Sequence, residues 1–247
     1  MSKLIIISGG MGGIGRACAE RLAHDGHALV LLYKNTPRDE VDTFLSSLPG
    51  PHQHRGFSCD ITDRDAINAV IQTIEESSAG IDICIHAAVS PLVRRRISLI
   101  DPNDFRQQFE VTTFAALHFF QAVATHMKKR NAGSIIGLTT AALEPGSGPT
   151  TMAGYVCAKY ALYGILREFS QDLAPNNIRV NAVAPDFIDT PLHRDLPEAA
   201  RTMIRAQHDS HAISPAAVAE TVAYLCTEKA KLINGRSFLV GDVDRAL

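Results

Sequence analysis

The sequence lacks three features that would place it in other classes of protein: an excess of basic charge, a long apolar run and a metal-binding spacing of cysteines. It holds 24 Lys and Arg against 26 Asp and Glu, a net charge of -2, whereas a nucleic-acid-binding surface is basic. No apolar run reaches the roughly 18 residues of a membrane span. We therefore expect no nucleic-acid partner, no membrane, no metal site, a cytoplasmic location and reduced thiols at the five dispersed cysteines, which are Cys18, Cys59, Cys84, Cys157 and Cys226.

The composition is that of an ordinary globular protein, with 46% hydrophobic and 20% charged residues among 247. This length suffices to bury a large core in one α/β domain, so we predict a single domain over residues 1–247. Because the first predicted strand begins within three residues of Met1, we expect no secretory signal.

A glycine-dense segment follows the apolar run 4–7, which is typical of a buried parallel strand. Behind it, apolar residues recur at helical spacing from about Gly13 onward. A strand, a glycine turn and a helix in this order indicate a dinucleotide-binding turn, because glycines let the backbone approach a pyrophosphate and the helix amides face the anion. A merely flexible turn is the alternative. The candidate cofactor-binding residues are Gly9, Gly10, Met11, Gly12, Gly13, Ile14 and Gly15.

The end of the second predicted strand, 28–33, bears on the choice of cofactor. NAD enzymes usually place an acid here for the ribose hydroxyls, but this chain has Tyr33, Lys34 and Asn35, with no acid until Asp39. A lysine can pair with a 2′-phosphate, and no carboxylate opposes it. We therefore predict NADP(H) with Lys34 as its reader, against the alternative of one more solvated surface lysine.

Strands and helices alternate along the whole chain, which predicts an α/β fold with a doubly wound parallel sheet. Further strands are predicted near 54–58, 82–86, 134–138, 178–183 and 237–240. Helices are predicted at 37–48, from Asp63 as cap, over 102–130 as one long helix, at 152–173 and at 215–226. Asp60 ends the third strand, where its carboxylate could accept from an adenine amine.

Two segments near the predicted strand ends have open interpretations. Arg94, Arg95 and Arg96 could meet an anionic substrate or an acidic carrier protein, or they could form a solvated loop. The polar segment 187–214 suits a mobile lid over a substrate. His193, His208 and His211 within it lack metal spacing and are interpreted as surface residues.

Tyr155 and Lys159 stand four apart on one face of the helix predicted over 152–173. A free phenol, with a pKa near 10, exchanges protons poorly at neutral pH. A nearby ammonium would lower that pKa and make a general acid or base. The pair follows one loop after Thr140 in a chain with a dinucleotide turn, so we predict an active site here.

Over essentially its full length the sequence resembles the classical short-chain dehydrogenase/reductases, and most of all the 3-oxoacyl-acyl-carrier-protein reductases. The resemblance is carried by the glycine turn, by 59–63, by the Tyr155-to-Lys159 motif, by 177–185 and by 187–191. It implies a seven-stranded Rossmann-like fold, often tetrameric, that passes a hydride between NADP(H) and a carbonyl or alcohol. It thus implies a homo-oligomer, with a hetero-oligomer as the alternative.

The resemblance also implies roles for single residues. Tyr155 would be the proton donor, Lys159 its pKa partner and a ligand of the nicotinamide ribose, and Thr140 would stand in the place of the family's serine. The remaining implied cofactor contacts lie at the adenine end, after the fourth strand and at the nicotinamide end: Asp60, Ile61, Ala87, Ile188 and Thr190.

Three departures from the family pattern surround this site. His86 and Ala87 replace the two asparagines of the usual Asn-Asn-Ala-Gly. Thr112 replaces the helix asparagine that helps to hold a proton-relay water, and Asp186 replaces a glycine after strand six.

Our leading hypothesis is an NADPH-dependent reductase of a 3-oxoacyl thioester or similar ketone. The alternatives are a non-catalytic NADP-binding partner of an active reductase, and an alcohol oxidation or a sugar or steroid substrate on the same fold.

Overall fold

The computed structural model describes residues 2–50, 53–78, 80–144, 151–188 and 213–241. Within these residues seven strands form one parallel sheet in the order β3-β2-β1-β4-β5-β6-β7. The order reverses between β1 and β4, so the sheet is doubly wound, as the sequence predicts. The strands are β1 (Leu4–Ser8), β2 (Ala28–Tyr33), β3 (Arg55–Ser58), β4 (Ile83–His86), β5 (Gly133–Leu138), β6 (Ile178–Pro185) and β7 (Ser237–Val240).

Helices connect these strands and cover both faces of the sheet. Their ends follow ordinary capping chemistry: Asp63 accepts from the amides of Asp65 and Ala66 at the start of α3, as predicted, and Ser214 caps α7. The helices are α1 (Gly13–His24), α2 (Arg38–Ser47), α3 (Arg64–Glu76), α4 (Pro102–Phe109), α5 (Ala115–Arg130), α6 (Ala153–Asp172) and α7 (Pro215–Cys226). Apart from the long helix discussed below, the predicted ends of the elements differ from the observed ones by at most two residues.

Alternate residues of each strand enter two separate apolar layers, because successive side chains point to opposite faces. In β1, Ile6 packs in the layer with α3, α5 and α6, whereas Ile5 and Ile7 pack in the layer with α1 and α7. All three are fully buried. The sheet is therefore a rigid platform on which the strand ends can carry function.

The long helix predicted over 102–130 is wrong in one respect, because a π-helical turn, Glu110–Phe114, separates α4 from α5. One residue more than an α-helix needs is accommodated there. Thr112 is fully buried in this turn, and the Thr113 hydroxyl donates to the carbonyl of Ala158 in α6 (3.1 Å). The turn thus binds α4 and α5 to the helix that carries Tyr155 and Lys159.

The five cysteines are free, and four of them are buried, in agreement with the prediction of reduced thiols. None of the helices in the described part of the chain is long and apolar enough to cross a lipid bilayer.

Candidate active site

The glycine turn lies at the carboxyl end of β1, where the strand order reverses. Gly9 has φ +67, in the left-handed region that favours glycine. A Cβ on Gly9 would lie 2.7 Å from Cα of Ala88 after β4, and one on Gly15 would overlap the carbonyl oxygen of Gly9. No side chain fits at either position. The turn is therefore a backbone surface packed tightly against the start of α1.

The amino end of α1 is open to an anion. Its cap residue is Gly12, and no side chain accepts a hydrogen bond from the first amides of the helix. These amides and the helix dipole favour a negative group such as a pyrophosphate. The glycine turn and the uncapped helix start together fit a dinucleotide, as the sequence predicts.

Lys34 and Asp60, which were predicted to contact different parts of the cofactor, form an ion pair with each other. Lys34 Nζ lies 2.5 Å from Asp60 Oδ2, and the side chains are 59% and 35% exposed. Partial burial opposes ionisation of Asp60, but hydrogen bonds from Lys34 and Thr62 outweigh it and lower the pKa of the carboxyl. The pair lies at the ends of β2 and β3, beside the position expected for the adenosine ribose.

Thr140 and Tyr155 meet across the gap between β5 and α6. Thr140 follows β5, where it accepts from the amide of Ala142 (3.3 Å), and its hydroxyl is near enough to the phenol of Tyr155 to favour ionisation of that group. Tyr155 keeps some accessible surface, but burial of its hydroxyl, only partly offset by Thr140, raises its pKa to about 12. The phenol is thus protonated at neutral pH.

Lys159 is almost completely buried, with 4% exposure, one helical turn after Tyr155. Its Nζ donates to the carbonyl of Leu138, the last residue of β5, over 2.6 Å. It lies 5.6 Å from the centre of the Tyr155 ring. Burial lowers the pKa of Lys159 to about 7, because an ammonium loses hydration there.

The lowering of the Tyr155 pKa that its spacing to Lys159 leads us to expect does not appear in this structure, where burial sets the direction of the shift. Burial dominates both groups, so the pKa of the phenol rises to about 12 while the pKa of the amine falls to about 7. The amine is hydrogen-bonded to Leu138 rather than to the phenol. The two side chains are nevertheless near neighbours, as their spacing predicts.

His86 connects the glycine turn to this pair. Its Nδ1 shares a 2.8 Å hydrogen bond with Ser8 Oγ at the end of β1, and its ring packs edge-on against Phe120. Burial, with a smaller contribution from the charge of Lys159, lowers the pKa of His86 to about 3. His86 is therefore a neutral residue between the two halves of the site, a role that the sequence did not indicate.

The remaining departures from the family pattern also lie at this edge. The hydroxyl of Thr112 and Nε2 of His86 are buried and have no hydrogen-bond partner among the described residues. Asp186, directly after β6, accepts from the amide of Phe187 (2.8 Å). In the family an asparagine amide at the position of Thr112 helps to hold a water. Within the described residues, the Thr112 hydroxyl that replaces it forms no hydrogen bond.

The other predicted contact residues are partly accounted for. Ile61 and Ile188 are buried, at 8% and 6% exposure, and the amide of Ala87 donates to the carbonyl of Ser8 (3.0 Å). Met11 packs against the layer that holds α1. Thr190, most of the predicted lid 187–214 and its three histidines lie outside the described residues.

A glycine turn at the reversal point of a parallel sheet, with a phenol, a hydroxyl and an amine at the same edge, defines a dinucleotide-binding oxidoreductase. The family model described as enoyl-(acyl carrier protein) reductase matches residues 9–242, nearly the whole chain. The chain belongs to the short-chain dehydrogenase/reductase family.

Individual relatives agree with this assignment. The 3-oxoacyl-[acyl-carrier-protein] reductase FabG of Thermotoga maritima is 27% identical, and the match covers 95% of this chain and 94% of that protein. The crystal structure of levodione reductase is similar with a TM-score of 0.89 at 22% identity, covering 99% of this chain and 98% of the other. A variant of actinorhodin polyketide ketoreductase with NADPH gives a TM-score of 0.86 at 22% identity, covering 97% and 95%.

Proposed function

We propose that the protein is an NADPH-dependent ketone reductase whose substrate is a 3-oxoacyl thioester linked to a carrier protein. The observation that supports this most directly is that the Thr140 hydroxyl lies close enough to the Tyr155 phenol to act on its pKa, with Lys159 one helical turn away. A hydroxyl and a protonated phenol side by side suit a carbonyl oxygen that becomes an alcohol. The FabG relative is named for this reaction.

The residues present fit the cofactor. The glycine turn is packed so tightly that a Cβ on Gly9 or Gly15 would collide with main chain, so it presents bare backbone, and the uncapped start of α1 suits the pyrophosphate. Lys34 recognises the 2′-phosphate either by breaking its ion pair with Asp60 or by binding the carboxylate and the phosphate together. When bound, NADPH supplies a hydride for the carbonyl carbon of the substrate.

Two side chains then orient the substrate oxygen and supply its proton. Thr140 donates to the substrate oxygen and orients it, and Tyr155 gives its proton to the same oxygen as the carbon is reduced. The raised pKa of Tyr155, about 12, keeps it in the donor form at neutral pH. The ammonium form of Lys159, which lies 5.6 Å from the ring centre, stabilises the phenolate that remains.

The protein acts as a homo-oligomer in this proposal, as a dimer or a tetramer. Phe114 and Tyr160, in the segment before α5 and on α6, are 45% and 51% exposed, so they offer aromatic surface of the kind that is enriched in the interfaces between subunits.

A second candidate function is a catalytically impaired NADP-binding partner of an active reductase. The specific observation in its favour is that Thr112 Oγ1 and His86 Nε2 are buried without partners among the described residues. A proton relay needs side chains that hold its water in a fixed position, and no hydrogen bond to a described residue fixes either of these two atoms. In this candidate function the protein binds NADP(H) but does not turn over a substrate.

The two functions are separated by following NADPH consumption with a short 3-oxoacyl thioester. Tyr155→Phe removes the proton donor and is expected to lower the rate by about 10²–10⁴, with NADPH binding retained. Tyr224→Phe, on the exposed surface of α7, is the matched control and should leave the rate unchanged. Equal rates in wild type and Tyr155→Phe would remove the phenol from the mechanism. Absence of turnover over a broad ketone panel, with NADPH bound, favours the second candidate.

A further inference from the structure

We propose that the segment Arg95-Arg96-Ile97-Ser98-Leu99, hereafter the arginine segment, is the docking surface for an acidic carrier protein that brings the acyl group to Tyr155. The inference deepens the proposed function and depends on it for the identity of the cargo. It rests on where the segment is fastened, on what it exposes and on its charge.

The segment is fastened beside the start of α6. The backbone of Arg95 pairs with that of Met152 in an isolated parallel bridge, three residues before Tyr155. On one side, Gln108 Nε2 of α4 donates to the carbonyl of Pro91 (2.7 Å). On the other, Ile100 packs on Gly154, where an added Cβ would lie 3.0 Å from its Cδ1. The arginine segment therefore stands at the rim of the site that holds the phenol.

Its exposed side chains combine apolar surface with positive charge. Ile97 and Leu99 are 63% and 71% exposed, two of the most exposed large apolar residues of the described chain. Arg95 and Arg96 beside them are exposed as well, whereas Arg94 is partly buried. Two exposed arginines next to two exposed apolar side chains suit a protein interface, because arginine is enriched there and a partner would cover the apolar surface.

The charge of this surface is not neutralised within the described residues. None of the ion pairs found there includes Arg95 or Arg96, although nine other pairs occur. The guanidinium of Arg95 donates instead to the carbonyl of Arg94 (3.1 Å). Two uncompensated guanidinium groups attract carboxylates, which they bind bidentately.

A protein fits this surface better than a small anion does. Sites for small ligands are concave and bury most of the ligand, but the arginine segment is exposed on both its charged and its apolar residues. A partner with carboxylates around a small apolar patch would cover both. The chain itself has a net charge of only -2, so such a partner is guided by the local charge of the segment and not by the whole molecule.

The test compares one acyl group on three carriers. The 3-oxobutyryl group is presented on an acyl carrier protein, on coenzyme A and on N-acetylcysteamine, and kcat/KM is measured with NADPH at low and at physiological salt.

Two double variants change the arginine segment. Arg95→Gln/Arg96→Gln removes the charge, and Ile97→Ser/Leu99→Ser removes the apolar surface. Lys231→Gln/Arg236→Gln is the matched control, because it removes two exposed charges next to the amino end of β7, at the opposite edge of the sheet. Titration with the acyl carrier protein gives its affinity independently of turnover.

The arginine double variant is expected to lower affinity and kcat/KM for the carrier-protein substrate by roughly tenfold at low salt, and by less at physiological salt. The apolar double variant should act in the same direction with little dependence on salt. Turnover of the N-acetylcysteamine thioester should stay within about twofold, and the control should match wild type throughout.

Three results would overturn the docking proposal: unchanged carrier-protein kinetics and affinity in the arginine variant, an equal loss with N-acetylcysteamine, or a loss confined to coenzyme A, which would indicate a small-anion site. The proposed function fails in a different way. If wild type turns over none of the three thioesters but still binds the carrier protein, and the arginine variant loses that binding, the docking surface stands and the reductase activity does not. If wild type does not bind the carrier protein, the docking proposal is wrong.

Discussion

The two lysines of the site, Lys34 and Lys159, show how the same side chain is used in opposite ways. Lys34 is 59% exposed and paired with Asp60, so water and a carboxylate both support its charge. Lys159 is 4% exposed, donates to a backbone carbonyl, and has a pKa lowered by burial to about 7. The first keeps its charge and can change partners. The second has its charge controlled by its surroundings.

The difference suggests a division of tasks between the two halves of the sheet. In the proposed function, recognition at the β2–β3 end depends on the charge of Lys34, which Asp60 holds until a phosphate binds. At the β5–α6 end, the chemistry depends on groups whose protonation is set by burial. Three predictions test this contrast, from the largest expected effect to the smallest.

Removal of the buried amine should have the largest effect. Lys159→Met keeps the length of the side chain and removes the ammonium that stabilises the phenolate, so kcat for the thioester is expected to fall by about 10²–10⁴. NADPH affinity, followed by the fluorescence of the reduced cofactor, should fall much less. Lys34→Met is the control and should raise the KM for NADPH with little change in kcat. A similar loss of kcat in both variants would contradict the division of tasks.

Replacement of the exposed lysine should change the cofactor preference. In Lys34→Asp a carboxylate faces the ribose, where it accepts from hydroxyls and repels a 2′-phosphate. The ratio of NADP to NAD affinity should fall by roughly 10- to 100-fold. Asp60→Asn, which frees Lys34 from its partner, should shift the ratio in the other direction. An unchanged ratio in Lys34→Asp would show that Lys34 does not read the phosphate.

The smallest expected effect is on stability. The pKa of Lys159 is about 7 in the folded chain and about 10.4 when unfolded, so between these values the unfolded chain binds more protons. The free energy of unfolding therefore rises with pH in this window, by about 1 kcal/mol per unit. Urea unfolding from about pH 7.5 to about pH 9 should show this slope in wild type and in Lys34→Met, and a flatter one in Lys159→Met. The same slope in all three would contradict a depressed pKa.

Much of the fold could be predicted because each strand is a short apolar run and each helix has its apolar residues at a regular spacing. The bounds of β2, β7 and α7 coincide with the predicted ones. The π-helical turn, Glu110–Phe114, could not be predicted, because the apolar pattern continues across it. The turn contacts α6 through the hydroxyl of Thr113, a tertiary contact that no local pattern encodes.

The sequence predicts which candidate residues lie near one another, but not which of them pair. The spacing of Tyr155 and Lys159 predicts that they are neighbours, but not that the amine binds the carbonyl of Leu138. The ion pair of Lys34 with Asp60 joins two strand ends that are adjacent only in the sheet. Ser8 and His86 likewise meet through the pairing of β1 with β4. Such contacts follow from strand register, which the sequence does not state.

The tight glycine turn has a consequence for how this protein can diversify. Because even a methyl group on Gly9 or Gly15 would collide with main chain, the ability to hold a dinucleotide tolerates almost no sequence drift there. Variation is admitted instead at side chains on the rim, such as Lys34 and the arginine segment. Single substitutions at those exposed side chains can therefore alter what the protein recognises while the backbone of the turn stays intact.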